Sequence, residues 1–216
     1  MRYQGIIFDL DGVICSTDEY HYLAWKVLAN RLGLPFDRKV NNRLRGVSRM
    51  ESLEIILESS DKDYSAAEKS AFAEEKNTIY RQLLCEMSQA DLTDEVKETL
   101  LALREKGLKL AIGSSSRNAP FILERIGLKN FFDAVADGNC ITHSKPHPEV
   151  FLKAADMLGL SPTECLVVED AHAGVEAACA GGFDCAAMGD AQKNERANWQ
   201  LDAFRSLTNY LAKTGV

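Results

Sequence analysis

Two aspartates two residues apart, Asp9 and Asp11, close an apolar run in "FDLDGV", residues 8 to 13. Tyr3 to Phe8 reads as a buried strand, and Gly12 lets the chain turn after it. Side chains alternate faces in extended chain, so Leu10 points into protein while Asp9 and Asp11 point the other way together. Three more apolar runs end on reactive groups. "LKLAIG" leads into Ser114, Ser115 and Ser116; "DAVADG" is followed by Lys145; "CLVVED" ends in Glu169 and Asp170. Open parallel sheets bind ligands beyond the carboxyl ends of their strands, so these groups are expected at one rim. Four carboxylates gathered there repel, and a hard divalent cation with oxygen ligands, best magnesium, keeps them ionised. A lysine and hydroxyls facing the acids suit a phosphoryl group, and a carboxylate nucleophile beside it implies an aspartyl-phosphate intermediate. Taken singly, Asp11 reads as a turn residue, Ser114 as a helix cap, Lys145 as a solvated charge and Asp170 as an N-cap. Their coincidence at consecutive strand ends carries the argument.

The elements that must position these groups follow from the spacing. Short apolar runs ("GIIF", "LKLAIG", "DAVADG", "CLVVED", "CAAMG") alternate with helical stretches, which predicts an α/β fold with a parallel, Rossmann-like sheet and crossover helices. Roughly a hundred residues without a convincing strand separate the first two runs, far more than a crossover needs. An inserted all-helical cap over about residues 14 to 88 accounts for the excess, leaving 1 to 13 and 89 to 216 as the core. Tyr20, Leu23, Ala24, Val27 and Leu28 form an i, i+3, i+4, i+7, i+8 stripe, expected to be the buried face of the first cap helix, which Gly33 and Pro35 end. Ser48 with Glu51, and Ser65 with Glu68, match capping boxes for two more helices. Asp94 opens a core helix that Gly107 closes, Gly127 and Gly159 stop two others, and Asp202 is expected to cap the last, with Phe204, Leu207 and Leu211 as its core stripe.

Composition narrows the function classes. Of 216 residues, 46% are hydrophobic and 26% charged, ordinary values for a globular protein able to bury a sizeable core. The net charge of −7 argues against nucleic acid as a partner, though not against a small anion held by a few local cations. No segment approaches a membrane span and none resembles a leader, so a cytoplasmic location without membrane contact is expected. The six cysteines, at 15, 85, 140, 165, 179 and 185, show no metal-finger spacing and are expected to be reduced, mostly core residues. Cys140, His143 and His147 read as loop or packing residues.

In order and spacing, "DLDGV", "IGSSS", "SKPHPEVF" and "VVEDAHAG" resemble the four signature motifs of the haloacid dehalogenase superfamily of phosphotransferases. The resemblance implies that Asp9 is the nucleophile and Asp11 the general acid and base. It implies one magnesium ion held by Asp9, the Asp11 backbone carbonyl, Glu169 and Asp170, with Ser114 and Lys145 on the transferring phosphate and a cis Lys145–Pro146 bond.

Within that superfamily, "STDEYHYLAWK" (16 to 26), "LRGVSRMESL" (44 to 53), Lys76 in "EEKN" and the closing "NWQLDAF" resemble the beta-phosphoglucomutase subgroup. A mutase handles a sugar carrying two phosphates and needs two anion sites. The resemblance points to Arg49 with Ser116, Arg117 and Asn118 for the distal phosphate, and to Asp11, Thr17, Gly46, Val47, Ser52 and Lys76 around the sugar. Arg49 and Ser52, three apart on a helix, share a face. His21 is placed to position Asp11 when the cap closes, and Trp25 either packs or touches substrate. Arg45 and Arg117 stand where the subgroup more often has lysine, which keeps charge but changes donor geometry. The expected reaction interconverts beta-D-glucose 1-phosphate and D-glucose 6-phosphate in a monomer, with beta-glucose 1,6-bisphosphate as primer. A magnesium-dependent sugar-phosphate phosphatase is the rival within enzymes, and a non-catalytic phosphosugar sensor the rival outside them.

Overall fold

Strands that are buried on both faces tolerate unbroken apolar runs, and the central strands here have that character. In the computed structural model, which describes residues 2–213, β1 (Gly5–Phe8), β2 (Lys109–Gly113), β3 (Ala134–Ala136), β4 (Cys165–Glu169), β5 (Asp184–Ala187) and β6 (Trp199–Gln200) form one parallel sheet in the order β3-β2-β1-β4-β5-β6. Every residue of β1 and β4 is buried. β1 lies at the centre in register with both neighbours, Phe8 opposite Ile112 and Val168, so the residues after Phe8, Ile112 and Val168 emerge side by side. β6 is a two-residue edge strand whose Gln200 is exposed, too short and too polar to stand out as an apolar run.

Helices cover both faces of the sheet. α5 (Asp94–Glu105), α6 (Ala119–Arg125), α7 (Glu149–Leu158), α8 (His172–Ala180) and α9 (Ser206–Lys213) belong to this layer. Two apolar clusters result, one containing Phe8, Leu100, Leu110 and Leu207, the other Ile7, Phe151, Val167 and Val175. α9 starts four residues beyond Asp202, which is exposed and does not cap it, while Phe204, Leu207 and Leu211 are buried as their spacing requires.

Between β1 and β2 the chain is helical: α1 (Asp18–Leu32), α2 (Arg38–Asn42), α3 (Arg49–Leu57) and α4 (Ala66–Leu84). Both expected capping boxes form, with Ser48 and Ser65 accepting from the N–H of Glu51 and Glu68 and the two glutamates bonding back to the cap N–H groups. These helices have a core of their own, built on Trp25, Leu28, Leu53 and Ile56. The buried face of α1 differs from the apolar stripe. Tyr22, Ala24, Trp25, Leu28 and Ala29 are buried, whereas Leu23 and Val27 are 38% and 50% exposed. Trp25 packs with Leu28, Ala29, Leu53, Ile56 and Ala73, so the packed face of α1 runs through Trp25 and Ala29 and leaves Leu23 and Val27 at its edge.

Candidate active site

The rim above β1, β2 and β4 gathers the reactive groups. Asp9 follows β1, Ser114 follows β2, and Glu169 and Asp170 finish β4, all of them buried. Lys145 arrives from the loop between β3 and α7, through a cis Lys145–Pro146 bond, and its side chain is wholly buried. Its Nζ donates to Asp9 Oδ1 and Glu169 Oε1, each at 2.5 Å. Glu169 Oε2 accepts from the N–H groups of Asp170 and Ala171 at 2.8 Å. Room for that carboxylate comes from Gly174, where a Cβ would lie 1.8 Å from Glu169 Oε1. Gly12, at φ +90°, does the same for Asp170, whose Oδ2 would be 2.1 Å from a Cβ there.

Electrostatics at this rim favour a cation. Oxygens of Asp9, Glu169 and Asp170 lie within 4.8 Å of one another. Burial, then the charges of Glu169 and Asp9, push the Asp170 carboxyl up to about 8, and burial and Asp9 raise Glu169 as well. Lys145 is raised too, because the two carboxylates around it outweigh its own burial. Three carboxylates face two cations, the Lys145 ammonium and the Arg45 guanidinium on Asp170, and their hard oxygen donors fit a magnesium-like ion. Asp11 sits beside them, its carboxyl raised to about 6 by burial and by Asp9 and restrained by a short hydrogen bond from Thr17 Oγ1.

Facing this rim, α1, α3 and α4 close a cavity of about 900 Å³. Asp9, Asp11, Thr17, His21, Trp25, Gly46, Val47, Arg49, Ser52, Lys76, Ser114, Ser116, Arg117, Asn118 and Asp170 all line it, while Lys145 and Glu169 lie behind its wall. Arg49 donates to Asn77 Oδ1 at 2.8 Å, and the same oxygen accepts from Asn118 Nδ2 at 3.0 Å. Burial lowers the Arg49 guanidinium, and the Arg117 charge across the cavity lowers it further. Arg49 pairs with Glu74 Oε2 at 3.6 Å at the cavity edge, Arg117 donates Nε to the Gly138 carbonyl at 3.2 Å, and these two guanidiniums lining one space can serve an anion.

Three placements go beyond the sequence. His21 does not bond Asp11; its Nδ1 lies 2.8 Å from Lys76 Nζ and its ring stacks on Tyr80 with centroids 4.1 Å apart. Burial, then Lys76 and Arg49, hold the imidazole well below its ordinary range, and burial and Arg49 hold the Lys76 amine below its own. Trp25 packs in the helical core and also offers its ring face to Lys76 Nζ, 4.8 Å from the centroid. Arg45 uses both arms of its fork, one on Asp170 Oδ2 at 2.8 Å and one on Asp190 Oδ2 at 3.1 Å, a bridge that a lysine's single nitrogen does not supply in the same way. With Ser115 Oγ on Gly46 O at 3.1 Å and Ser144 Oγ on Glu51, it holds the α1–α4 helices against the sheet. All six cysteines are free, and only Cys15, Cys165 and Cys185 are buried.

With Asp9, Asp11, Lys145, Glu169 and Asp170 gathered at one parallel-sheet rim, a family model for haloacid dehalogenase-like hydrolases matches residues 3–182. The chain belongs to this family. Among haloacid dehalogenase-like relatives, a beta-phosphoglucomutase of Bacillus subtilis is 42% identical over 88% of this chain and 84% of its own. A fructose-1-phosphate phosphatase of Escherichia coli is 34% identical over 85% of this chain and 95% of its own. The crystal structure of a Clostridium difficile beta-phosphoglucomutase superposes with a TM-score of 0.92 at 37% identity, covering 98% of this chain and 96% of that one. Among the described residues no helix is long and apolar enough to cross a membrane.

Proposed function

We propose that this haloacid dehalogenase-like enzyme is a beta-phosphoglucomutase, interconverting beta-D-glucose 1-phosphate and D-glucose 6-phosphate as a cytoplasmic monomer. The observation that carries the reading is a second cationic group: Arg49 and Arg117 both line the cavity, and their partners are Glu74 and the Gly138 carbonyl rather than the acids around Asp9. Hydrolysis needs one phosphate site, whereas moving a phosphoryl group between two ends of a sugar needs two.

Phosphorylated Asp9 first meets beta-D-glucose 1-phosphate. Asp11 takes the proton of the C6 hydroxyl as that oxygen attacks phosphorus, and the phosphorus–Asp9 bond breaks to give beta-glucose 1,6-bisphosphate. The bisphosphate then turns end for end, so that Arg49, Arg117, Ser116 and Asn118 hold the C6 phosphate. With Oδ1 held by Lys145, Asp9 Oδ2 is the oxygen left to attack the C1 phosphorus. As the bond from phosphorus to the C1 oxygen breaks, Asp11 returns its proton to that oxygen and D-glucose 6-phosphate leaves. Its carboxyl, raised to about 6, exchanges a proton readily in both directions near neutral pH. Asp9, Glu169, Asp170 and the Asp11 carbonyl would hold magnesium, which would neutralise the charge shared by Asp9 and the transferring phosphoryl. Residues 14–88 act as the cap that excludes water, with Ser52 and Lys76 on the sugar hydroxyls and the bisphosphate as the primer that phosphorylates Asp9.

Phosphorus NMR on enzyme, magnesium, primer and beta-D-glucose 1-phosphate tests this reading. Growth of the glucose 6-phosphate resonance supports it, and growth of inorganic phosphate at the same rate replaces it with a phosphatase.

A further inference from the structure

The loop that delivers Lys145 carries a histidine on each side of it, His143 and His147, and leads into α7 at Glu149. These three side chains come together as a group separate from Asp9, Glu169 and Asp170, and the two histidines line the cavity. One nitrogen of each histidine and one oxygen of Glu149 lie within 4.8 Å of one another, and both histidines are exposed. His143 Nδ1 is 3.3 Å from Glu149 Oε2. Two ligand atoms about 2.0 to 2.1 Å from a tetrahedral zinc ion are about 3.4 Å apart, so this pair already has the required spacing. His147 is held nearby, its ring centroid 4.7 Å from that of His143 and its Nδ1 accepting the Glu149 N–H at 3.3 Å. Glu149 is fixed in turn by the N–H groups of Thr142 and His143, which hold its carboxyl below the usual range and ready to ligate.

We propose that His143, His147 and Glu149 form a second metal site, for a borderline divalent ion of the zinc type, whose occupation restrains the loop that carries Lys145. The donor sets sort the ions. Two imidazoles and one carboxylate suit zinc, whereas the all-oxygen set at Asp9, Glu169 and Asp170 suits magnesium. Three protein ligands leave the fourth position to water. Drawing the His147 nitrogen from within 4.8 Å to a tetrahedral spacing pulls the His147 flank of Lys145 toward His143 and Glu149. Lys145 joins Asp9 to Glu169 directly, so this movement slows phosphoryl transfer.

Zinc chloride titrated calorimetrically into the protein with magnesium in large excess tests the site, and this arm assumes nothing about the substrate. Wild type is expected to bind one zinc ion that His143→Ala, His147→Ala and Glu149→Gln each weaken by at least about 10- to 100-fold. Cobalt(II) is expected to give a visible spectrum of tetrahedral nitrogen and oxygen coordination. Unchanged zinc affinity in the histidine variants, or a thiolate charge-transfer band with cobalt, overturns the site. In turnover assays zinc is expected to slow wild type and to spare His143→Ala; zinc that binds without slowing wild type overturns the restraint on Lys145.

Discussion

Arg49 and Asn118 donate to one atom, Asn77 Oδ1, at 2.8 and 3.0 Å. A residue of α3 and a residue after β2 are thereby tied through α4, and the anion site is complete only when the helices rest on the sheet. Charge-assisted hydrogen bonds contribute about 1.5 to 3 kcal/mol each, so Arg49→Ala is expected to slow isomerisation by one to several orders of magnitude. Slow hydrolysis of phospho-Asp9, which needs no second anchor, persists. Parallel assays of glucose 6-phosphate and free phosphate check this, and normal isomerisation by the variant removes Arg49 from the distal site.

Lys145 is the buried counter-ion of both Asp9 and Glu169. Removing one partner from such a group leaves uncompensated charge, so Lys145→Ala is expected to lose roughly 3 to 5 kcal/mol in chelator. Magnesium should restore part of that stability, because a divalent ion replaces the missing positive charge. Urea denaturation with and without magnesium measures both quantities. A variant equally stable in the two conditions argues against a cation at these carboxylates.

Asp11→Asn keeps the backbone carbonyl but has no proton to exchange. Turnover is expected to fall by about 10² to 10⁴, while calorimetric magnesium affinity stays within the same order. Full turnover in this variant excludes Asp11 as the acid and base.

His21 is buried and held neutral, its pKa lowered well below the ordinary 6.5 by burial and then by Lys76 and Arg49. On acidification the unfolded chain takes up a proton near pH 6.5 and the folded chain does not. The contribution of this residue to stability is therefore intact above about pH 6.5 and is lost as pH falls below it. His21→Gln should remove that dependence, so the wild-type-minus-variant stability difference declines between pH 7 and 5 by up to about 1.4 kcal/mol per pH unit. A difference that stays flat over this interval contradicts the neutral assignment.

Much of the site was legible because chemistry and strand pattern coincide. "FDLDGV" and "CLVVED" are buried runs ended by acids, and the sheet sets their ends side by side at Asp9 and Glu169. Both capping boxes are local and formed as written. What was not legible depends on tertiary packing. Leu23 and Val27 have the right spacing for a core face, yet the packed face of α1 runs through Trp25 and Ala29. β6 is recruited by the edge of β5 rather than by its own composition. The convergence of His143, His147 and Glu149 arises from the path of the loop around Pro146, and only the H-x-x-x-H spacing within it could have signalled the cluster.

The central claim is that the phosphoryl group on Asp9 passes to a sugar and not to water. Rapid-quench analysis of radiolabelled phospho-Asp9, mixed with magnesium and unlabelled beta-D-glucose 1-phosphate, measures that choice in one turnover. Label appearing in the bisphosphate and then in glucose 6-phosphate, with little in inorganic phosphate, is the predicted result; label passing straight to inorganic phosphate would contradict it.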